Sequence, residues 1–261
     1  MSSIARKAVK VAALPLGLFA RWRPGDLGIL LYHRVGQGPS EIELPIDRFE
    51  RHLEALVQAG GVRSLDDALG DEQGGIVVSF DDGYRDFHDR VVPLLVRYRV
   101  PAVLYLATGL VRDEAHDERS DPDGLSWSQL DEAVATGYVT VGAHTHSHRA
   151  LSRTTEQVAD EEMRRSKELI EDRLGVACRH FAYPFAVGSP AADRVARRLF
   201  ESAALDAWKT NRRGKLDRYR LGRMPVLRSD GQLFFRAKVR GMLEHEALAY
   251  RALGRGPWKA S

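Results

Sequence analysis

The chain has 261 residues, 44% hydrophobic and 29% charged, the make-up of a soluble globular protein and not of a disordered, collagen-like or disulfide-stapled one. Its 39 Lys+Arg against 36 Asp+Glu leave a net charge of +3, which is no footprint for nucleic acid, since that calls for basic residues clustered on one face. A single cysteine, Cys178, excludes an intrachain disulfide and a cysteine-rich zinc site, so any metal must be held by histidines and carboxylates.

Residues 1–25 form a basic and apolar leader. Arg6, Lys7 and Lys10 precede an apolar run from Val11 to Ala20 that Pro15 and Gly17 interrupt. The run is too short to span a bilayer, which needs roughly 20 residues, and Arg21-Trp22-Arg23 follows at once where a secretory peptide would show small residues for cleavage. The leader therefore packs against the domain or touches a membrane surface peripherally, which favours a cytoplasmic or membrane-peripheral location.

From residue 26 the pattern alternates short apolar runs with amphipathic helices. Leu27 to Tyr32 reads as a buried strand, and Ile46 to Ala59, with Phe49, Leu53, Leu56 and Val57 on one face, as a helix stopped by Gly60-Gly61. The cycle repeats with a strand from Ile76 to Phe80, a helix from Tyr84 to Arg99 around Pro93, and a strand from Ala102 to Leu106. Asp113 to Gly124 is a long irregular insertion, and Ser126 caps the helix after it. A strand from Tyr138 to Gly142 precedes a long helix from Thr154 to Leu174, ended by Gly175. Cys178 reads as a small buried filler before the short strand His180 to Tyr183. A helix from Pro190 to Leu199, a weak strand from Ser202 to Leu205, a strand near Met224 and a last helix from about Gln232 to Leu243 complete the domain. The apolar runs lack strict alternation, as parallel strands covered on both faces do. One domain, 26–243, followed by a tail, 244–261, is the economical division.

In a barrel or wound sheet of parallel strands, catalytic groups sit where strands end. The first strand runs into Tyr32-His33, the second into Asp81-Asp82-Gly83, and the strand ending near Ala143 into His144-Thr145-His146-Ser147-His148. Neighbouring carboxylates point to opposite faces within a strand, but at a strand end released by a glycine both can turn into one pocket. One can then hold a metal while the other stays free as a base. Three histidines in five residues, in a chain with nine, are a dense ligand supply. His144 and His148 with a carboxylate would leave an open position for water, and His144, His146 and His148 on one face would make a three-histidine site.

Ser79-Phe80-Asp81-Asp82-Gly83-Tyr84 and His144-Thr145-His146-Ser147-His148 together resemble the first two motifs of the polysaccharide deacetylases, carbohydrate esterases that remove N-acetyl groups from amino-sugar glycans. Phe181-Ala182-Tyr183-Pro184-Phe185 resembles the third in altered form. The resemblance spans residues 27 to 243 and implies a distorted (β/α) barrel of about seven parallel strands. It implies an N-acetylated glycan as substrate and zinc, or another divalent transition metal, on Asp82, His144 and His148, acidifying a bound water. Asp81 becomes the general base, the Phe185 backbone N–H a donor to the oxyanion, and Thr145 the hydroxyl that ties the metal loop together. His146 stays outside the ligand set.

Two departures stand out. The usual third motif carries an arginine that pairs with the base, and Ala182 takes its place. The usual late Leu-x-His, source of the general acid, is absent, whereas Leu31-Tyr32-His33 is a Leu-x-His on the first strand. This resembles the circularly permuted branch, poly-N-acetylglucosamine deacetylases among them, and makes His33 the acid. Tyr84, Phe87, Trp127, Tyr183, Phe185 and Trp208 either stack on sugar rings or sit in the core. A hydrolase of the same fold acting on a small non-sugar amide and a catalytically dead carbohydrate-binding protein both stay open as alternatives, and the oligomeric state is not legible.

Overall fold

A computed structural model describes residues 25–71, 73–113, 123–205 and 210–239. The leader up to residue 24, the tail 244–261, most of the 113–124 insertion and Trp208 lie outside the described residues, as does the last helix beyond Val239. Among the described residues no helix is long and apolar enough to cross a membrane.

Seven parallel strands form one curled sheet, a half-barrel with helices around it. In chain order they are β1 (Leu27–Tyr32), β4 (Gly75–Asp82), β5 (Ala102–Leu106), β6 (Val139–Ala143), β7 (His180–Ala182), β8 (Ser202–Ala204) and β9 (Met224–Pro225). A two-stranded parallel pair, β2 (Arg34–Val35) with β3 (Glu43–Leu44), follows the end of β1. The spatial order is β8-β7-β6-β5-β4-β1-β9, so the first and last strands are neighbours. Between the two edges runs the stretch 218–225: Leu221 bridges to Ala204 of β8, and Met224 and Pro225 pair with Leu30 and Leu31 of β1. Buried Asn211 fastens this closure by donating its side-chain N–H to the carbonyls of Leu27 and Gly222 and accepting from the Gly222 N–H.

Period-two alternation separates two cores. Ile76, Val78 and Phe80 of β4 face outward into the larger cluster under the helices, with Leu104, Val141 and Phe181 of the neighbouring strands. Leu27, Ile29, Val77, Val103, Tyr105, Ala182 and Ala204 face inward with Leu221. The same parity turns Asp81 and, one step past β1, His33 toward the interior. All strands being parallel, their carboxyl ends open on one mouth, which gathers the groups that terminate β1, β4, β6 and β7.

The outer helices are α1 (Ile46–Ala59), α3 (Val92–Tyr98), α4 (Trp127–Ala135), α5 (Glu156–Leu174), α6 (Pro190–Leu199) and α7 (Gln232–Val239). Ser126 caps α4 in a reciprocal capping box with Gln129, and Thr155 caps α5. The helix expected through Pro93 begins instead with a π turn over Phe87–Val91, because proline has no N–H to give the preceding turn. A short helix that the sequence reading lacked, α2 (Leu65–Gly70), presents Leu65, Ala68 and Leu69 to the inner cluster. Cys178 is buried, as expected of a filler, and burial pushes its thiol up to about 12.

Candidate functional site

Asp81 and Asp82 end β4, and both are buried. Asp82 adopts φ 77° and Gly83 follows with φ 99°, so the chain leaves the strand through two left-handed residues and both carboxylates meet the mouth. Across it, His144 Nε2 lies 3.6 Å from Asp82 Oδ1 and 3.6 Å from Asp81 Oδ2, and His148 Nε2 lies 3.1 Å from Asp82 Oδ1. Left-handed φ in non-glycine residues is rare and concentrates where function over-determines the backbone. Here Asp82, Thr145, His148, Phe185 and Ala186 all show it at the mouth, and among the described residues only Arg99, at a helix end, shows it elsewhere.

The imidazole of His144 is oriented from behind. Its Nδ1 sits 2.8 Å from the Ala182 carbonyl, an acceptor only, so Nδ1 carries the proton and Nε2 turns its lone pair to the carboxylates. Burial lowers the pKa of this ring, which favours the neutral form a metal requires. Burial pushes Asp82 up, but His148, His33 and His144 carry it far below the usual carboxylate range. Burial lowers His148 as well, and the Asp82 carboxylate beside it reverses the sign and raises it.

Asp82, His144 and His148 offer ligand atoms all within 4.8 Å of one another. Asp82 Oδ1 is buried and has no hydrogen-bond partner of acceptable geometry, although two ring nitrogens point toward it. A buried anionic oxygen left in that condition is costly unless a cation takes it up. Two imidazoles and one carboxylate suit zinc or a similar divalent transition metal, so these residues fit the ion expected from the sequence. His146 is not among them: its Nδ1 lies 3.0 Å from Thr108 Oγ1.

Asp81 is held by a residue the sequence reading did not find. Arg223, itself 1% exposed, donates Nη1–H to Asp81 Oδ1 at 2.6 Å and Nη2–H to Oδ2 at 2.8 Å. Burial pushes the Asp81 carboxyl up, and the Arg223 guanidinium with the rings of His144 and His33 outweighs it and holds the group below its ordinary value. The missing third-motif arginine is thus replaced from the closing segment, one residue before β9. Its sequence signal was faint, a lone cation in the apolar run Leu221 to Leu227 on the inward parity of Leu221. Ala182, at the expected arginine position, contributes its carbonyl to His144 instead.

His33 follows β1 at the same mouth, half-buried, and is near enough to both aspartates to act on them electrostatically. Phe185 is 54% exposed, with its ring centroid 4.7 Å from that of His148. Thr145 does not tie the loop as expected, because its buried Oγ1 has no hydrogen-bond partner. Phe87, Trp127 and Tyr183 belong to the outer core, and the Arg34 guanidinium covers the Tyr84 ring at 4.5 Å. Phe185 is left as the exposed aromatic of that set among the described residues.

The family model described as polysaccharide deacetylase matches residues 70–200, which contain Asp81, Asp82, His144, His148 and Phe185. Among curated proteins, YxkH of Bacillus subtilis, named provisionally as a polysaccharide deacetylase, is 26% identical over 171 residues, 62% of this chain and 57% of that protein. The poly-beta-1,6-N-acetyl-D-glucosamine N-deacetylase of Staphylococcus epidermidis is 26% identical over 118 residues, 42% of this chain and 40% of that one. The chain thus spans little more than half of the first relative's length and less of the second's. Among solved structures, IcaB from Ammonifex degensii superimposes with a TM-score of 0.71 at 26% identity, over 84% of this chain and 97% of that one. The Streptococcus pyogenes deacetylase PplD, solved with acetate, gives 0.73 at 21% identity over 84% and 99%, a likeness of fold.

Proposed function

We propose that this chain, which belongs to the polysaccharide deacetylase family, is a metal-dependent hydrolase of the N-acetyl amide in an amino-sugar glycan. A polymer of β-1,6-linked N-acetylglucosamine is the first substrate to test, because one relative is named for it. The observation that carries the reading is the convergence of Asp82, His144 and His148 on one point beside a carboxylate, Asp81, locked by Arg223.

A divalent cation on Asp82, His144 and His148 would supply Lewis acidity at the amide carbonyl and lower the pKa of the attacking water. The remaining work falls to side chains of this chain. Arg223 occupies one lone pair on each Asp81 oxygen and leaves a second on each, so Asp81 accepts the proton of the water as it adds to the carbonyl carbon. The Phe185 backbone N–H donates to the carbonyl oxygen as charge develops there. His33 gives its proton to the amide nitrogen as the C–N bond breaks, releasing acetate and the free amine.

Metal analysis of the purified protein together with acetate release from N-acetylglucosamine oligomers and from a panel of simple amides tests the reading. The His144→Ala, His148→Ala double variant is expected to lose its metal, whereas His146→Ala keeps it. Full metal content in the double variant would refute the ligand assignment. For His33→Gln, turnover is expected to fall by about a hundredfold with metal content unchanged. An unchanged turnover number would send the proton to water or to another group.

A further inference from the structure

The metal loop Thr145–His148 makes two left-handed turns, at Thr145 and His148, and the threonine hydroxyl expected to secure it has no partner. A non-glycine residue is held there only if its neighbours fix the backbone on both sides. On the β5 side, Gly109 donates its N–H to the His146 carbonyl at 2.7 Å, and a Cβ on Gly109 would come within 2.6 Å of that oxygen. On the other side stands Glu162 of α5, whose main-chain carbonyl accepts from the His146 N–H at 3.1 Å and whose carboxylate adds three bonds that a side-chain substitution removes. Its Oε2 accepts from the His146 N–H at 3.1 Å and the Ser147 N–H at 2.8 Å, while Oε1 accepts from the Ser147 hydroxyl at 2.6 Å.

We propose that Glu162 is a positioning residue that sets metal affinity, by holding the His146-Ser147 peptide so that His148 meets Asp82 and His144. This rests on the reading of those three residues as the metal ligands. A carboxylate taking three hydrogen bonds, two of them from consecutive N–H groups, fixes the direction of that stretch of backbone more firmly than a neutral acceptor. Glu162 is at no stage in contact with the metal or the substrate; it works through the backbone that carries His148.

A matched control lies on the same helix. Glu171 Oε1 accepts from Lys167 Nζ and from the Cys178 N–H, tying α5 to backbone far from the mouth. Zinc affinity is measured by chelator competition on the full chain for the wild type, Glu162→Ala, Glu162→Gln, Ser147→Ala and Glu171→Ala, with melting temperature in parallel. Removing a group that orients a ligand weakens metal binding by about 10- to 100-fold, and Glu162→Ala should fall in that range. Glu162→Gln keeps one acceptor oxygen and Ser147→Ala loses only the hydroxyl bond, so both should lie between it and the wild type. Glu171→Ala should lose melting temperature and keep the wild-type zinc affinity. The cobalt(II) absorption spectrum should change in Glu162→Ala and not in Glu171→Ala. Should Glu162→Ala fail to fold, Glu162→Gln and Ser147→Ala carry the comparison. Zinc affinity within twofold of wild type in all three mouth variants, or an equal loss in Glu171→Ala, overturns the inference alone. A wild type that binds no zinc overturns it together with the metal reading.

Discussion

Asp81→Asn should retain close to the wild-type metal content and lose turnover by at least about a hundredfold, the usual scale for a positioned acid or base. The amide keeps the shape of the carboxylate but cannot take a proton from water. Because Asp82 alone of the two aspartates shares its oxygen with His144 and His148 at the ligand point, binding and chemistry separate between neighbours in sequence. Metal content and the turnover number measured on one preparation check this, at a temperature well below the variant's melting point. Metal loss with residual turnover on reconstitution would exchange the roles of the two aspartates.

Arg223→Met should cost about 3–5 kcal/mol of folding stability, the range for removing one partner of a buried ion pair and leaving the other charge uncompensated. Both groups are almost fully buried, and the contact is two-pronged. Lysine in its place keeps the charge and loses the planar fork, so Arg223→Lys should recover little of the activity. The double variant Asp81→Asn, Arg223→Met should be more stable than the sum of the single losses predicts, since neither leaves the other charged and alone. Denaturant unfolding of the four proteins measures the coupling. A cost below about 1 kcal/mol for Arg223→Met, the scale of an exposed pair, would mean that the pair does not orient the base.

The groups that end strands were legible because an apolar run that stops on Asp-Asp-Gly or on three spaced histidines announces a change of environment within a few residues. The helix limit at Ser126 was equally plain, whereas the long helix read as starting at Thr154 is capped by Thr155 and starts at Glu156. Arg223 was not legible as the partner of Asp81, since the two are 142 positions apart in sequence and meet only when the sheet curls. Helix α2 escaped for another reason: six residues are too few to show a 3.6 period, although Ser64 accepts from the Asp67 N–H as a proper cap. The mistaken tie at Thr145 came from a side-chain role assigned by resemblance, where the backbone turns that position left-handed and leaves its hydroxyl alone. Alternation, read as absent from runs that are apolar on both faces, decides the interior after all, because β4 changes from Val77 through Ser79 to Asp81 along its inward side.

The stretch 218–225, hydrogen-bonded to β8 on one edge and to β1 on the other, has a bearing on the order of events during synthesis. A nascent chain that has emerged as far as Phe185 already carries the three proposed metal ligands together with the Ala182 carbonyl and the Glu162 carboxylate behind them, but its proposed base, Asp81, still lacks the Arg223 counter-charge and its sheet has an open edge. That edge and that charge are both satisfied by the same late segment. On the proposed ligand assignment, a polypeptide stalled or cleaved between residues 185 and 223 would therefore be able to capture a metal ion without becoming a competent catalyst, and its exposed strand edges would mark it for aggregation or proteolysis.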